Sequence, residues 1–216
     1  MMAVDVEKVV RNLEDVHEIE NILGRYQYFH MGGGPPMGMS DCFVQYTDGG
    51  SLTCPMGTWE GIEGLRKWFR RGEPIREASP DEPVHFMLFP STTIVVEVAE
   101  DGESARAMLT TPGYSGGIAP GGDGQPLSNW FYLKAAYDFV KEDGQWKAYN
   151  YHMWEIFQSD YHRCFTKGRL RVDQPDFPLK PDRVNPPEFL YSPTMVQKMV
   201  AVPPEPYHSL ADVEPY

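Results

Sequence analysis

The sequence predicts an α+β domain in which N-terminal helices pack against an antiparallel sheet, followed by a proline-rich arm. The N-terminal apolar residues recur at three- and four-residue steps, which is typical of a helix with one buried face. Two pairs of strand-like segments follow, each joined by a short turn. Ten of the twenty prolines lie between Pro175 and Pro215, so this part cannot form a core of its own. We therefore expect a domain over residues 1–157 and an arm over residues 158–216, packed on the domain or on a neighbouring subunit.

The helical periodicity runs from Val6 to Tyr26 and ends before the Gly- and Pro-rich residues 31–36. Asp15 followed by Glu18 resembles a capping box, which indicates that the main helix begins there after a shorter one. A short strand at residues 51–56 and a second helix at about residues 62–71 come next.

From residue 85 onward the pattern has the two-residue period of strands. Residues 92–98 and 105–111 form one predicted hairpin, and residues 129–140 and 146–157 form a second. The segment 112–128 between the hairpins contains six glycines. We expect it to be a lid or a binding loop, because long loops inside compact domains are usually functional.

Composition excludes several classes of partner. The 216 residues carry a formal net charge of −12, which disfavours nucleic acid and anionic membranes, since both require clustered Lys and Arg. Three scattered cysteines indicate a reducing compartment rather than a disulfide framework. The N-terminus is too charged for a signal peptide, and no apolar run approaches the ~20 residues that span a bilayer. The sequence therefore predicts a soluble, cytoplasmic protein.

Several motifs resemble those of SnoaL-like proteins, members of the nuclear transport factor 2 (NTF2)-like superfamily. They are Glu18–Tyr26 in the first helix, Asp48–Gly50 with Gly57–Leu65, His85 at a strand start, and Asp143–Lys147 in the last hairpin. The resemblance covers about residues 15–157 and implies a cone, in which a strongly curved antiparallel sheet wraps around the helices. The proline-rich tail is similar to that of long-tailed members, among them lyases that remove formaldehyde from lignin-derived diarylpropane diols.

The resemblance also implies that His85 points into the cone, where an imidazole can act as acid or base near neutral pH. SnoaL-like dehydratases often carry a Tyr at the end of the first helix and an Asp five residues later. Here Met31 stands five residues after Tyr26, so the acid of the usual His–Asp dyad is missing. Tyr28 is a further candidate for the catalytic machinery.

Lys134 lies in an otherwise apolar strand segment and is the alternative base. Alternation places Lys134 on one face with Tyr132 and Ala136. If that face lines the pocket, desolvation lowers the pKa of the ammonium group; if it faces solvent or a subunit, Lys134 is a surface charge. On the last strand, an inward Trp146 carries His152, a candidate proton donor, toward the cavity. A bulge would reverse this placement.

The predicted substrate-binding residues are aromatic or polar side chains expected to face the same pocket. They are His30, Tyr46, Phe86, Thr110, Tyr132, Asn150 and Trp154. We expect neither a metal nor another cofactor, because the histidines and cysteines follow no ligand spacing and the glycines no nucleotide-binding pattern.

The sequence therefore predicts a cofactor-independent lyase acting on a small aromatic molecule, by acid–base elimination of formaldehyde from a diaryl diol or of water. The alternatives are an isomerase or cyclase of a polyketide- or steroid-like substrate, and a non-catalytic binding or assembly subunit. The tail and the sheet predict a homodimer or homotrimer in every case.

Overall fold

The structure is a computed structural model that describes residues 5–31, 38–71, 86–118, 126–162, 164, 179–185 and 201–216. Within them lie two α-helices, α1 (Val6–Met31) and α2 (Gly61–Trp68), and two 3₁₀ turns, Met39–Cys42 and Leu210–Asp212. The strands are β1 (Ser51–Cys54), β2 (Gly57–Glu60), β3 (Phe86–Leu88), β4 (Thr92–Val98), β5 (Ser104–Ile118), β6 (Pro126–Glu142) and β7 (Gln145–Asp160).

The seven strands form one sheet in the order β2-β1-β7-β6-β5-β3, with β4 also paired to β5. All pairings are antiparallel except that of β1 with β7, which is parallel. β3 and β4 follow one another along the same edge of β5. The predicted α+β class and both predicted hairpins, β4–β5 and β6–β7, are confirmed.

Helix α1 lies against one face of the sheet, hereafter the inner face. Its second half buries Ile19, Leu23 and Tyr26 in the main core. Small residues of the sheet, such as Ala107 and Ala135, belong to the same core and leave room for the helix. The helix is continuous from Val6, so the prediction of a break at Asp15 is wrong.

Asp15 instead ties α1 to the last hairpin. Its carboxylate accepts a hydrogen bond of 2.7 Å from the Trp146 indole and lies 3.3 Å from the Lys141 ammonium group. Trp146 is 2% exposed, which confirms that it packs inward. A carboxylate that binds two side chains in this way serves tertiary contact rather than helix capping.

Most of the glycine-rich segment predicted as a loop is strand. β5 continues to Ile118 and β6 begins at Pro126, and residues 112–118 pair with residues 126–132. Residues 119–125 lie outside the described part of the chain. At Gly113 a Cβ would lie 2.5 Å from the Phe89 ring. That strand position therefore requires the absence of a side chain.

Two β-bulges interrupt the pairing of β7 with β6. Phe139 pairs with Ala148 and Asp138 with Asn150, so Tyr149 is an extra residue. A second irregularity follows, because Leu133 pairs with Glu155 and Tyr132 with Phe157. Since successive strand residues point to opposite faces, each extra residue reverses the face that later side chains occupy.

The last described segment, residues 201–216, packs on the outer face of the sheet. Asp138, completely buried, pairs with Arg106 at 3.0 Å and accepts a hydrogen bond from the backbone N–H of Tyr216. Arg106 also donates to the Glu214 carbonyl, and its guanidinium lies 3.7 Å from the centre of the Tyr216 ring. This group of four residues, the arm clamp, attaches the end of the chain to β5 and β6.

Other described parts of the arm bind the edges of the sheet. The backbone of Glu100 donates to the Tyr207 carbonyl at the β4–β5 turn. On the opposite side, Thr58 of β2 donates its backbone N–H to the Arg183 carbonyl at 2.8 Å. The division into residues 1–157 and 158–216 stays a prediction, and β7 extends three residues beyond the first boundary.

We expect Arg106→Met to lower the free energy of unfolding by about 3 kcal/mol, because it leaves the buried Asp138 carboxylate without its cation. The measurement is urea denaturation at pH 7. Arg66→Met is the control: its pair with Glu63 is exposed, so the loss should stay below about 1 kcal/mol. Equal losses in the two variants would contradict a structural role for the clamp.

Candidate active site

A cavity of about 100 Å³ lies between the second half of α1 and the inner face of the sheet. Its wall includes residues of α2, β3 and the turn between β1 and β2. Most of the lining is apolar, with Phe89, Phe131 and three methionines. The polar lining residues are Tyr26, Gln27, His30, Thr111, Tyr151 and Glu155.

His30 stands in the last turn of α1, and its ring packs edge-to-face with two aromatic rings. The ring centres are 4.7 Å apart for Tyr26 and 5.4 Å apart for Phe89. Its Nδ1 lies 3.3 Å from the Tyr26 carbonyl oxygen, so a neutral ring carries its proton there and leaves Nε2 as an acceptor. Burial lowers the pKa of His30 from 6.5 to about 4. At neutral pH the imidazole is therefore uncharged and able to accept a proton.

Glu155 of β7 is 7% exposed and lines the same cavity. The bulge at Tyr149 determines this placement, because it moves Tyr151, Met153 and Glu155 to the inner face. A carboxylate in a largely apolar cavity is costly to desolvate, so such residues are frequently functional. His30 and Glu155 together place a proton acceptor and an acidic side chain in one small space.

Three buried phenol rings pack together at the site, and two of them line the cavity. Tyr151 lies 4.7 Å from Tyr137 and 5.9 Å from Tyr26, measured between ring centres. Desolvation raises the pKa of all three phenols above the ordinary value. They therefore remain protonated at physiological pH, and the two that line the cavity, Tyr26 and Tyr151, are available as hydrogen-bond donors.

Gln27 and Thr111 complete the polar lining. The Gln27 side-chain oxygen and the Thr111 hydroxyl are buried and have no hydrogen-bond partner among the described residues. Gln27 follows Tyr26 on α1, and Thr111 lies on the inner face of β5, opposite Leu133 of β6.

Of the residues predicted from the sequence, His30 is the one whose described side chain lines the cavity. His85 and the side chain of Phe86 lie outside the described residues. Tyr28 is 72% exposed on α1. Tyr46 is 58% exposed and hydrogen bonds to Asp143, so neither tyrosine contacts the cavity.

The remaining candidate residues lie on the outer face of the sheet. They are Thr110, Lys134, Tyr132, Asn150, His152 and Trp154. The expected inward placement of those on β7 is wrong, and Lys134 takes the outward one of its two alternatives. On β6 the inner positions are the odd-numbered ones, such as Leu133 and Tyr137, so Lys134 and Tyr132 point outward. On β7 the bulge reverses the face after Ala148. On β5 the inner threonine is Thr111, one residue beyond Thr110.

Several of these outer residues meet beneath the arm. His152 and Trp154 stack at 3.9 Å and line a cleft of about 850 Å³ between the sheet and residues 201–216. Lys134 donates to the Ala201 carbonyl at 3.4 Å, and burial lowers its pKa. Asn150 donates to Asp138 of the arm clamp. Several residues predicted from the sequence therefore do lie close together, but on the face of the sheet opposite the cavity.

Sequence reasoning did not select Gln27, Thr111, Tyr151 or Glu155. Gln27 and Thr111 carry no local signal that separates them from surface polar residues. Tyr151 and Glu155 lie on the same strand face as Met153. A bulge predicted at Tyr149 would therefore have placed both on the inner face. No sequence rule places that bulge, because it depends on the register with β6.

No cluster of three His, Cys, Asp or Glu side chains that could hold a metal is present among the described residues. The same part of the chain contains no helix long and apolar enough to cross a membrane.

A family model for the SnoaL-like domain matches residues 11–152. The chain belongs to the SnoaL-like family. The match spans most of α1, strands β1 to β6 and the first half of β7, so the resemblance predicted from the motifs and the NTF2-like fold it implies are confirmed. No curated protein matches the sequence.

Two solved structures share this SnoaL-like fold. One, from Novosphingobium aromaticivorans, is described as a scytalone dehydratase: it is 18% identical and covers 73% of this chain and 94% of its own, with a TM-score of 0.53. The other is a type 2 hexachlorocyclohexane dehydrochlorinase, LinA, with 12% identity, 72% and 94% coverage and a TM-score of 0.51. At these identities the likeness establishes the fold.

Protonation of His30 should make this SnoaL-like protein acid-sensitive. An unfolded histidine binds a proton below about pH 6.5, but buried His30 resists protonation until about pH 4. Stability is therefore highest above pH 6.5 and falls as the pH drops through that window, by up to roughly 3 kcal/mol.

Urea denaturation between pH 7.5 and pH 4.5 measures this loss. His30→Gln should flatten the pH dependence, whereas His17→Gln on the same helix, at an exposed position, should leave it unchanged. If the free energy of unfolding falls equally with pH in both variants and in the unsubstituted protein, the acid sensitivity belongs to other groups.

Proposed function

We propose that this protein is a cofactor-independent lyase whose reaction takes place in the cavity of the cone. The observation that carries the proposal is the presence of His30 and Glu155 in one small, largely apolar cavity. A neutral imidazole accepts a proton, and a nearby carboxylate stabilises the imidazolium that forms. Glu155 thus supplies the carboxylate that the sequence lacks at the end of the first helix.

Elimination of water then follows from these groups. His30 removes a proton from the carbon next to the one that carries the leaving hydroxyl. The C–H electron pair becomes the new C=C bond as the C–O bond breaks, and the proton of a cavity phenol, Tyr151 or Tyr26, completes the departing water. The apolar walls exclude solvent, which strengthens these electrostatic interactions.

Elimination of formaldehyde from a 1,2-diarylpropane-1,3-diol uses the same groups. The base removes the proton of the primary hydroxyl, whose oxygen forms the C=O of formaldehyde as the carbon–carbon bond breaks. That bond's electron pair becomes the C=C bond of a stilbene, and the benzylic oxygen leaves as water after protonation. The tail resemblance favours this substrate.

Two further observations support an elimination reaction. The structurally similar proteins are named as a dehydratase and a dehydrochlorinase, and both names describe eliminations. His85 immediately precedes β3 and stays a second candidate base on the family resemblance. The proposal includes a small aromatic substrate and, from the sequence, a homodimer or homotrimer.

The test uses purified, chelator-treated protein and a phenolic 1,2-diarylpropane-1,3-diol. Stilbene absorbance and released formaldehyde are followed together. His30→Gln and Glu155→Gln should each lower kcat by about 100-fold or more, because each removes an acid–base group from the site. His17→Gln, on the exposed side of α1, should retain full activity.

Variants of the outer face make the assignment of the site falsifiable. If His152→Gln or Lys134→Met abolishes turnover while His30→Gln does not, the outer cleft is the active site and the proposal is wrong. Conversion of a substrate without change of mass would indicate an isomerase or cyclase. If ligands bind in the cavity but no substrate is converted, the protein is a non-catalytic binder.

A further inference from the structure

Two polar groups in the cavity are buried without a protein partner in the described part of the chain. The Gln27 side chain is 9% exposed and Thr111 is 2% exposed, and the Gln27 Oε1 and Thr111 Oγ1 atoms make no hydrogen bond there. Leaving a buried polar atom unsatisfied is unfavourable, so such atoms call for a water or a ligand. Both residues line the cavity, which is where a bound molecule would meet them.

The chemistry of the two groups indicates what they bind. An amide oxygen accepts a hydrogen bond, whereas a threonine hydroxyl both donates and accepts. A hydroxyl group on a ligand donates to the first and accepts from the second. A ketone cannot donate to Gln27, and an ammonium group cannot accept from Thr111. If the amide turns its nitrogen toward the ligand, a hydroxyl oxygen still accepts from it.

The charge of the lining selects against anions. No Lys or Arg is present among the described lining residues, and Glu155 is acidic. Among these described lining residues, a carboxylate ligand would lose its hydration and meet the acidic Glu155 without a Lys or Arg to compensate. The ligand that suits this electrostatic environment is neutral.

The size and walls of the cavity indicate a ring. A dry protein cavity of about 150 Å³ is known to bind benzene, so a space of about 100 Å³ is close to the size of one small aromatic ring. Phe89 and Phe131, whose ring centres are 5.8 Å apart, and Met153 provide aromatic and thioether contacts.

We infer that Gln27 and Thr111 recognise a hydroxyl group on a neutral aromatic ring, and that they determine which substrates this cavity accepts. The inference rests on the proposed function in that the cavity is taken as the active site. It deepens that function by naming what the cavity takes from a substrate: one hydroxylated aromatic ring, such as one of the two rings of a phenolic diaryl diol, rather than an aromatic acid or a plain hydrocarbon.

Binding of three single-ring probes to the full-length protein tests this inference without turnover. Phenol and toluene differ by hydroxyl against methyl at nearly equal size, and benzoate carries a charge. Titration calorimetry or NMR gives the ratio of the toluene Kd to the phenol Kd. Thr111→Val and Gln27→Met should each lower this ratio by about tenfold, because each removes a hydrogen-bonding partner without changing the shape much.

Thr110→Val is the matched control, because Thr110 is the preceding residue of β5 and lies on the outer face. Its ratio should stay within about twofold of the unsubstituted protein. Thr111→Ser keeps the hydroxyl and should preserve the preference for phenol, which separates loss of recognition from loss of folding. Benzoate should not compete with phenol.

An unchanged ratio in both Thr111→Val and Gln27→Met, or binding of benzoate as tight as that of phenol, overturns the inference. The result is independent of the lyase assay. A ratio that falls while no diol is converted supports the recognition and refutes deformylation of the diol. Turnover that depends on His30 without any change in the probe ratio supports the lyase and refutes the recognition.

Discussion

Tyr149 is an extra residue in β7, and it reverses the face of the sheet that the following side chains occupy. The chemistry of the cavity depends on that reversal. Before it, Trp146 and Ala148 face α1; after it, Tyr151, Met153 and Glu155 do. Without the extra residue, a strand with strict two-residue alternation would place Asn150, His152 and Trp154 against the helix instead. A single insertion in the pairing with β6 thus decides which acidic and phenolic side chains the cone encloses.

Desolvation determines how those side chains behave. The small cavity and its apolar walls keep His30 neutral and the phenols protonated, so acceptor and donors are in their working protonation states at neutral pH. The same burial that sets these protonation states reduces stability in acid, because the unfolded chain takes up a proton that His30 does not bind. The proposed function and the acid tolerance are therefore coupled through one residue at the end of α1.

The outer face of the sheet carries a second polar network with a different role. Beneath residues 201–216, the Asp138 carboxylate pairs with Arg106 and accepts a hydrogen bond from Asn150. The stacked rings of His152 and Trp154 lie beside this network. A buried charge pair of this kind is valuable mainly because removing one partner is so unfavourable. The network attaches the arm to the sheet. Polar side chains on the outer face, away from the cavity, therefore have a structural role there.

Periodicity and turn residues predicted the class of fold and the two hairpins, and the family resemblance of the motifs implied the inward position of Trp146. The sequence also predicted His30 as a pocket residue and showed that the usual helix-end acid is absent. The face of β5, β6 and β7 that lines the cavity became known from the three-dimensional structure alone. Pairing register and bulges are properties of two strands together, so Glu155, Tyr151 and Thr111 could not be selected from one chain's alternation. The local sequence pattern determines whether a segment is a helix or a strand. The pairing between strands determines what their side chains contact.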